Sequence, residues 1–236
     1  MLLDSFKQLH SELNLSHHSF ERSFNYLKWA FNSIDFDNKT VLDIGGGNGI
    51  YSYYSRYRGA KSAINLEPFE AGSKNIKINF QAVPEHLKIE TINKTIQDFS
   101  TDKKFDIIIL HDSINHLDEQ IFSKIHIEEN SFEKYLKLIE KISNLLKGEG
   151  VILVTDCSKH NFWGLIGIRN PFAPSIEWDI HQSPSLIKKL FLSQGFQSFK
   201  LRWSPFKRFG IFGRLLSFLG YGPSFFMQSH FNLIIR

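Results

Sequence analysis

A short apolar segment that runs directly into a glycine-rich loop is the feature that most constrains this 236-residue chain. Val41–Ile44 has the composition of a buried strand, and Gly45, Gly47 and Gly49 follow it at once. Glycine permits left-handed backbone angles and puts no Cβ in the way of a ligand, so the segment predicts a ligand-binding turn between a strand and a helix. The spacing G-x-G-x-G differs from the G-x-G-x-x-G of dinucleotide-binding proteins. A dehydrogenase is therefore disfavoured.

Strand and helix patterns alternate along the chain. Phe105–Leu110 is apolar on both faces, which suits a central parallel strand covered by helices. We expect Ser16 to cap the first helix. We expect Gly148 to end the helix that lies directly before Gly148 in the sequence. The alternation predicts one α/β domain with a doubly wound, mostly parallel sheet. The predicted strands are 40–44, 60–66, 88–93, 105–110, 151–155, 196–203 and 231–235, and the predicted helices are 16–33, 49–57, 70–80, 131–146 and 183–193.

Further segments place acidic residues where predicted strands end. Glu67 closes the second strand, eighteen positions after Gly49, and Asp98-Phe99 follows the third strand. A carboxylate after the second strand can accept hydrogen bonds from both hydroxyls of a ribose. With the glycine loop and the helix–turn–strand segment Leu146–Val151, these segments resemble, in order, the motifs of class I S-adenosylmethionine-dependent methyltransferases of the small-molecule type. The specific motifs lie within 41–156.

This resemblance implies a Rossmann-like methyltransferase fold, with a seven-stranded sheet whose last strand is antiparallel. It implies S-adenosylmethionine (SAM) as the methyl donor and S-adenosylhomocysteine (SAH) as the product. In the family, the loop passes under the methionine part of the donor, the acid corresponding to Glu67 binds the ribose, and the acid corresponding to Asp98 binds the adenine amino group. The implied cofactor-binding residues are Asp43, Gly45, Gly46, Gly47, Gly49, Glu67, Asp98, Phe99 and His111.

Methyl transfer to a hydroxyl requires a general base, and three histidines are candidates. His111 and His116 follow the fourth predicted strand, where ligands of open α/β sheets bind. His181 ends an aromatic-rich stretch and is the third candidate catalytic residue. Each of the three could instead be a hydrogen-bonded loop residue. We expect methylation of an oxygen, with nitrogen as the second choice, on a small molecule or on a glycan or lipid-linked intermediate.

The resemblance implies a single methyltransferase domain over 1–236. Residues 1–37 would form an N-terminal helical cap, and 38–156 would form the SAM-binding core. Two insertions, 157–182 and 205–228, would bind the substrate or act as a lid. The second insertion interleaves apolar and basic residues as an interfacial helix does, although ordinary packing or a homodimer interface would use the same residues.

Charge is distributed unevenly in this chain of net charge +4: eight Lys and Arg residues follow Asp179, and no acidic residue does. This pattern leaves open a contact of 188–214 with a membrane surface or an anionic substrate. An RNA methyltransferase is one alternative, but the basic residues are spread out and no RNA-binding module is recognisable, which disfavours nucleic acid. A SAM-binding partner subunit without catalysis is the other alternative.

The remaining composition is that of a cytoplasmic protein, with peripheral membrane association left open. The single cysteine, Cys157, cannot form an internal disulfide and fits a reducing compartment. Residues 1–30 contain three acidic residues and no continuous apolar core, so no signal peptide is expected. The sequence has no paired Cys and His spacing of the kind that binds zinc, and no metal is predicted.

Overall fold

The computed structural model describes residues 2–68, 83–204 and 211–236. Within these residues, seven strands form one sheet. They are β1 Thr40–Ile44, β2 Ser62–Leu66, β3 Glu90–Ile92, β4 Phe105–His111, β5 Leu146–Cys157, β6 Phe199–Ser204 and β7 His230–Ile235. The strand order is β3-β2-β1-β4-β5-β7-β6, and β7 runs antiparallel to β5 and to β6. The predicted fold class is therefore confirmed.

Among the described residues, the first two α-helices precede the first strand and the other α-helices lie between strands. The predicted helix 70–80 lies outside the described residues. The helices are α1 Leu2–Glu12, α2 Phe20–Ala30, α3 Ile50–Tyr57, α4 Glu119–Phe122, α5 Glu129–Ser143, α6 Phe162–Leu165, α7 Pro184–Leu192, α8 Ile211–Leu216 and α9 Tyr221–Met227.

The chain comprises two compact units, and the first contains Met1–His111 and Leu145–Val151. In this unit β1 pairs in parallel with β2 and β4, and β2 pairs in parallel with β3. The β1–β2 register sets Asp43 beside Asn65. Because parallel strands end at the same edge, this register brings the residues after β1 and β2 together.

The N-terminal segment forms two helices: α2 lies within the helix predicted over 16–33, and α1 was not predicted. Ser19, rather than Ser16, caps α2, because its hydroxyl accepts a hydrogen bond from the Arg22 N–H at 3.4 Å. Phe6 of α1 is completely buried and contacts the rings of Phe20 and Tyr54. Aromatic packing of this kind fixes the position of α2 against α3.

The second unit contains Asp112–Asn144 and Ile152–Arg236. Its β5 and β7 residues pair in antiparallel register from Ile152↔Ile235 to Cys157↔His230, and β7 is buried along its whole length. The helix that was predicted to end at Gly148 ends at Ser143, where the Asn144 N–H donates to the Glu140 carbonyl. The prediction failed because 146–150, including Gly148, are already part of β5.

Residues 157–182 are more regular than the sequence predicted, since they contain α6 and a 3₁₀ helix, Trp178–Ile180. Buried side-chain amides hold this segment in the second unit. Asn170 donates to the Met227 carbonyl at 2.6 Å, and Gln182 donates to the Phe122 carbonyl at 2.9 Å. The division into cap, core and insertions stays a prediction. Among the described residues, no helix combines the length and apolar character needed to cross a membrane.

Candidate active site

The glycine loop has the backbone that its sequence predicts. Gly45, Gly47 and Gly49 have φ angles of 69°, 54° and 81°, in the left-handed region that favours glycine. Gly46 is required for a different reason, because a Cβ there would lie 2.2 Å from Oδ1 of Asn65. The loop therefore presents bare backbone at the carboxyl end of β1.

Asp43 anchors the helix that follows the loop. Its side chain is completely buried, and its Oδ2 accepts hydrogen bonds from the Ser52 N–H at 3.2 Å and the Ser52 hydroxyl at 2.9 Å. Ser52 lies in the first turn of α3, so this carboxylate fixes the start of the helix against β1. Burial raises the pKa of Asp43 to about 7, against the effect of the Ser52 hydrogen bonds.

Two residues at the end of β2 form hydrogen bonds with the backbone of Gly47. The buried Glu67 accepts a hydrogen bond from the Gly47 N–H at 2.9 Å, and Asn65 donates to the Gly47 carbonyl at 3.0 Å. The structure thus brings together the predicted loop and the predicted ribose-binding acid. The sequence prediction missed Asn65, although a polar residue within the otherwise apolar β2 was a usable signal.

Asp98 and Phe99 form a turn after β3. Asp98 is exposed and accepts a hydrogen bond from the Thr95 hydroxyl at 2.7 Å, while Phe99 is buried. The N–H of Phe99, one of the implied cofactor-binding residues, donates to the Thr95 carbonyl at 3.0 Å. The Asp98 carboxylate remains accessible at the surface of this turn.

His111 is the last residue of β4 rather than the first residue after it. Its Nε2 lies 2.6 Å from the hydroxyl of Tyr26, and its ring stacks on Tyr51 with the ring centres 4.0 Å apart. Tyr26 belongs to α2 and Tyr51 to α3, and both were missed by the sequence prediction. One ring face of His111 and its Nε2 are therefore engaged by Tyr51 and Tyr26.

The second unit contains a cavity of about 510 Å³ that includes the carboxyl end of β5. His181 lines this cavity, and its Nδ1 lies 2.9 Å from Oδ1 of Asp156. Asp156 is buried, and the His181 side chain is only 12% exposed. Burial alone would lower the pKa of His181, but the hydrogen bond and charge of Asp156 outweigh it, and the pKa is raised above its ordinary value. The pair has the geometry of an oriented general base.

His116 lines the same cavity in a more exposed position. Its Nδ1 lies 2.5 Å from Oε1 of Glu119, and both side chains are about half exposed. A third pair is formed by His230 and Asp112, whose nearest atoms are 3.6 Å apart. Neither Asp156 nor His230 was predicted from the sequence, because their proximity to His181 depends on how β5 and β7 pair.

The model of the family described as a methyltransferase domain matches residues 16–197. This chain belongs to the methyltransferase-domain family. No curated protein matches the chain.

Solved structures of SAM-dependent methyltransferases have a similar fold. One from Archaeoglobus fulgidus is 14% identical, with a TM-score of 0.58 and 97% of each chain covered. One from Thermotoga maritima is 15% identical, with a TM-score of 0.54, and 100% of this chain and 98% of that chain are covered. A complex of DhpI with SAM and HEP is 12% identical, with a TM-score of 0.53, and 100% of this chain and 97% of that chain are covered. At these identities the similarity shows the fold.

The family and the fold confirm the predicted class I SAM-dependent methyltransferase, and with it SAM as the methyl donor. The first unit of the methyltransferase fits this donor. A Cβ at Gly47 would meet no atom within 4 Å, so there is open space beside the loop, and the buried Glu67 sits at the end of β2. When bound, SAM supplies a methyl group that is already activated by the sulfonium.

Proposed function

We propose that this methyltransferase methylates a hydroxyl oxygen of a small molecule and that His181 is the general base. An amino nitrogen is the second choice of acceptor. The observation that carries the proposal is the buried hydrogen bond between His181 Nδ1 and Asp156, in a cavity large enough for a small acceptor. With Nδ1 held by the carboxylate, Nε2 of His181 is the nitrogen that receives the proton.

In this mechanism the acceptor oxygen gains the methyl group, its proton passes to Nε2 of His181, and SAH leaves. Asp156 acts as a positioning residue, because it fixes the tautomer and stabilises the imidazolium. His116 is the second candidate, but its paired carboxylate, Glu119, is exposed and is a weaker constraint on the ring. His111 is proposed as a wall of the cofactor site, on the basis of its contacts with Tyr26 and Tyr51.

We propose that the donor is held by Asp43, Gly45, Gly46, Gly47 and Gly49 of the loop and by Glu67, Asp98, Phe99 and His111. Glu67 is the best supported of the side chains, since it already touches the loop through Gly47. Asp43 acts indirectly, by fixing α3 and the loop, because its carboxylate is completely buried.

The role of His181 is tested by the variants His181→Gln and His116→Gln, assayed for SAH release with a panel of small phenols and amines. We expect His181→Gln to lower kcat by about 10²–10⁴-fold, the usual range for a general base, with SAH affinity unchanged. His116→Gln serves as the matched control and should retain most of its activity. Unchanged kcat in His181→Gln would refute the assignment.

The pH dependence provides a second readout. A base must be deprotonated to act, so kcat should rise with pH as His181 loses its proton, with a midpoint above the ordinary histidine pKa. Asp156→Asn removes the carboxylate that raises this pKa, so the midpoint should move to lower pH. An unchanged midpoint in Asp156→Asn would show that another group limits the rate.

We also propose that an apolar face of the second unit contacts an anionic membrane surface. Phe212 is 69% exposed and Phe218 is 82% exposed, and Leu215 and Leu219 are exposed at helical spacing from them. The charge of the C-terminal segment favours an anionic surface, because eight basic and no acidic residues follow Asp179. The RNA alternative has no comparable support from the described residues.

A further inference from the structure

The cavity of the second unit is strongly acidic, although the whole chain carries a net charge of +4. Four carboxylates and three histidines line it, and the described lining contains no lysine or arginine. Since the acids outnumber the histidines, the lining stays negative even when every histidine is protonated. The residues are Asp112, Glu119, Asp156, Glu177, His116, His181 and His230.

The deepest of these acids has an unused hydrogen-bonding position. Asp156 is 1% exposed, and its Oδ1 accepts hydrogen bonds from the Cys157 N–H at 2.7 Å and from His181 at 2.9 Å. Its buried Oδ2 has no hydrogen-bond partner among the described residues. A buried carboxylate oxygen without a donor is costly, and a donor on a bound ligand would remove that cost.

Acidic side chains also stand at the more exposed part of the cavity. Asp112 and Glu177 are exposed lining residues. The backbone of Asp112 is held in place, since it has a φ of 50° and its N–H donates to the Thr155 carbonyl at 2.7 Å. Aspartate tolerates this left-handed conformation better than most residues. The negative charge therefore extends from Asp156 to the surface.

We propose that the acceptor bound in this cavity is a cationic small molecule, which carries a protonated amino group in addition to the hydroxyl that is methylated. An ammonium group offers three donors and a positive charge, which match a lining in which carboxylates outnumber histidines and the buried Oδ2 of Asp156 has no donor among the described residues. Phosphorylated and carboxylated acceptors would be repelled by the same lining. The inference rests on the proposed function, and it adds the charge class of the substrate.

Three phenols with tails of similar length but different charge test this inference: tyramine, 4-ethylphenol and 4-hydroxyphenylacetate. Their binding to the full-length protein is measured by calorimetry without SAM, so that no turnover is needed. We expect tyramine to bind most tightly and 4-hydroxyphenylacetate most weakly. Asp112→Asn and Glu177→Gln should each lower tyramine affinity by about threefold to fivefold, because each removes one partly exposed charge. Added salt should weaken tyramine binding in the same direction.

Glu133→Gln is the matched control, since Glu133 is an exposed acid of α5 outside the cavity lining. It should leave tyramine affinity unchanged. Equal binding of the three phenols, tightest binding of 4-hydroxyphenylacetate, or no binding of any of them would overturn the inference. Charge-selective binding together with a catalytically unimpaired His181→Gln would instead overturn only the proposed base. The two failures are therefore distinguishable.

Discussion

The burial of Asp43 makes a quantitative prediction about stability. Asp43 is completely buried, and its pKa is raised from 3.8 to about 7, mainly by burial. Between these two values the Asp43 carboxyl binds more protons in the folded protein than in the unfolded chain. The contribution of Asp43 to stability must therefore fall as pH rises through this window. Replacing Asp43 with asparagine removes the ionisation while keeping the size of the side chain.

The magnitude follows from the shift. A pKa displaced from 3.8 to about 7 corresponds to about 4 kcal/mol, at about 1.4 kcal/mol for each unit. The amide oxygen of the variant can still accept the hydrogen bonds of Ser52. The new NH₂ group would occupy the place of Oδ1, which has no described partner, at a cost of about 1–3 kcal/mol that does not depend on pH. The pH dependence is therefore the informative quantity.

The measurement is the free energy of unfolding in urea, without SAM, at several values between about pH 4 and pH 8. We expect the stability of Asp43→Asn relative to the wild type to rise across this window by about 3–4 kcal/mol. Asp106→Asn is the control. Burial alone would raise the pKa of Asp106, but the hydrogen bonds of Lys147 and Thr40 and the charge of Lys147 together lower it to about 2, so the effect of this variant should be constant above about pH 5. Parallel stability curves for the wild type and Asp43→Asn would refute the reasoning.

Two other variants test the remaining proposals. Glu67→Ala should largely abolish SAH binding by calorimetry while the circular dichroism spectrum is retained, and equal binding by the wild type and the variant would reject the ribose assignment. Phe218→Ser should lower binding to phosphatidylglycerol-containing vesicles in a sedimentation assay by about tenfold, whereas Ile127→Ser, at a comparably exposed apolar site, should not. Absence of vesicle binding by the wild type, or a dimer that Phe218→Ser dissociates, would reject the membrane contact.

Local patterns predicted the strands and helices more reliably than their ends. The strand β1 was predicted with its exact limits, because its apolar run stops at a glycine turn. The helix predicted to end at Gly148 was misjudged, since glycine is common at helix ends but here lies inside a strand. The helix predicted over 16–33 is present as α2, but its start was misplaced because the capping residue Ser19 is as good a start signal as Ser16.

The partners of the candidate base could not be predicted, because they come from distant parts of the chain. His181 and Asp156 are twenty-five positions apart, and no local spacing rule relates them. The same is true of Tyr26 and His111, which lie in α2 and at the end of β4. The sequence identified three histidines as candidates for the general base without ranking them, and only their surroundings in the structure distinguish them.

The sequence by itself indicated the class of the protein, because the glycine loop and the acid after β2 are short-range motifs that resemble those of class I SAM-dependent methyltransferases. That resemblance implied the fold and the methyl donor. The tertiary structure decided which acids and histidines share a cavity, since that depends on the register of β5 and β7 and on the path of 157–182. The charge around an acceptor depends on which residues are neighbours in space. It can therefore be determined only from the folded structure.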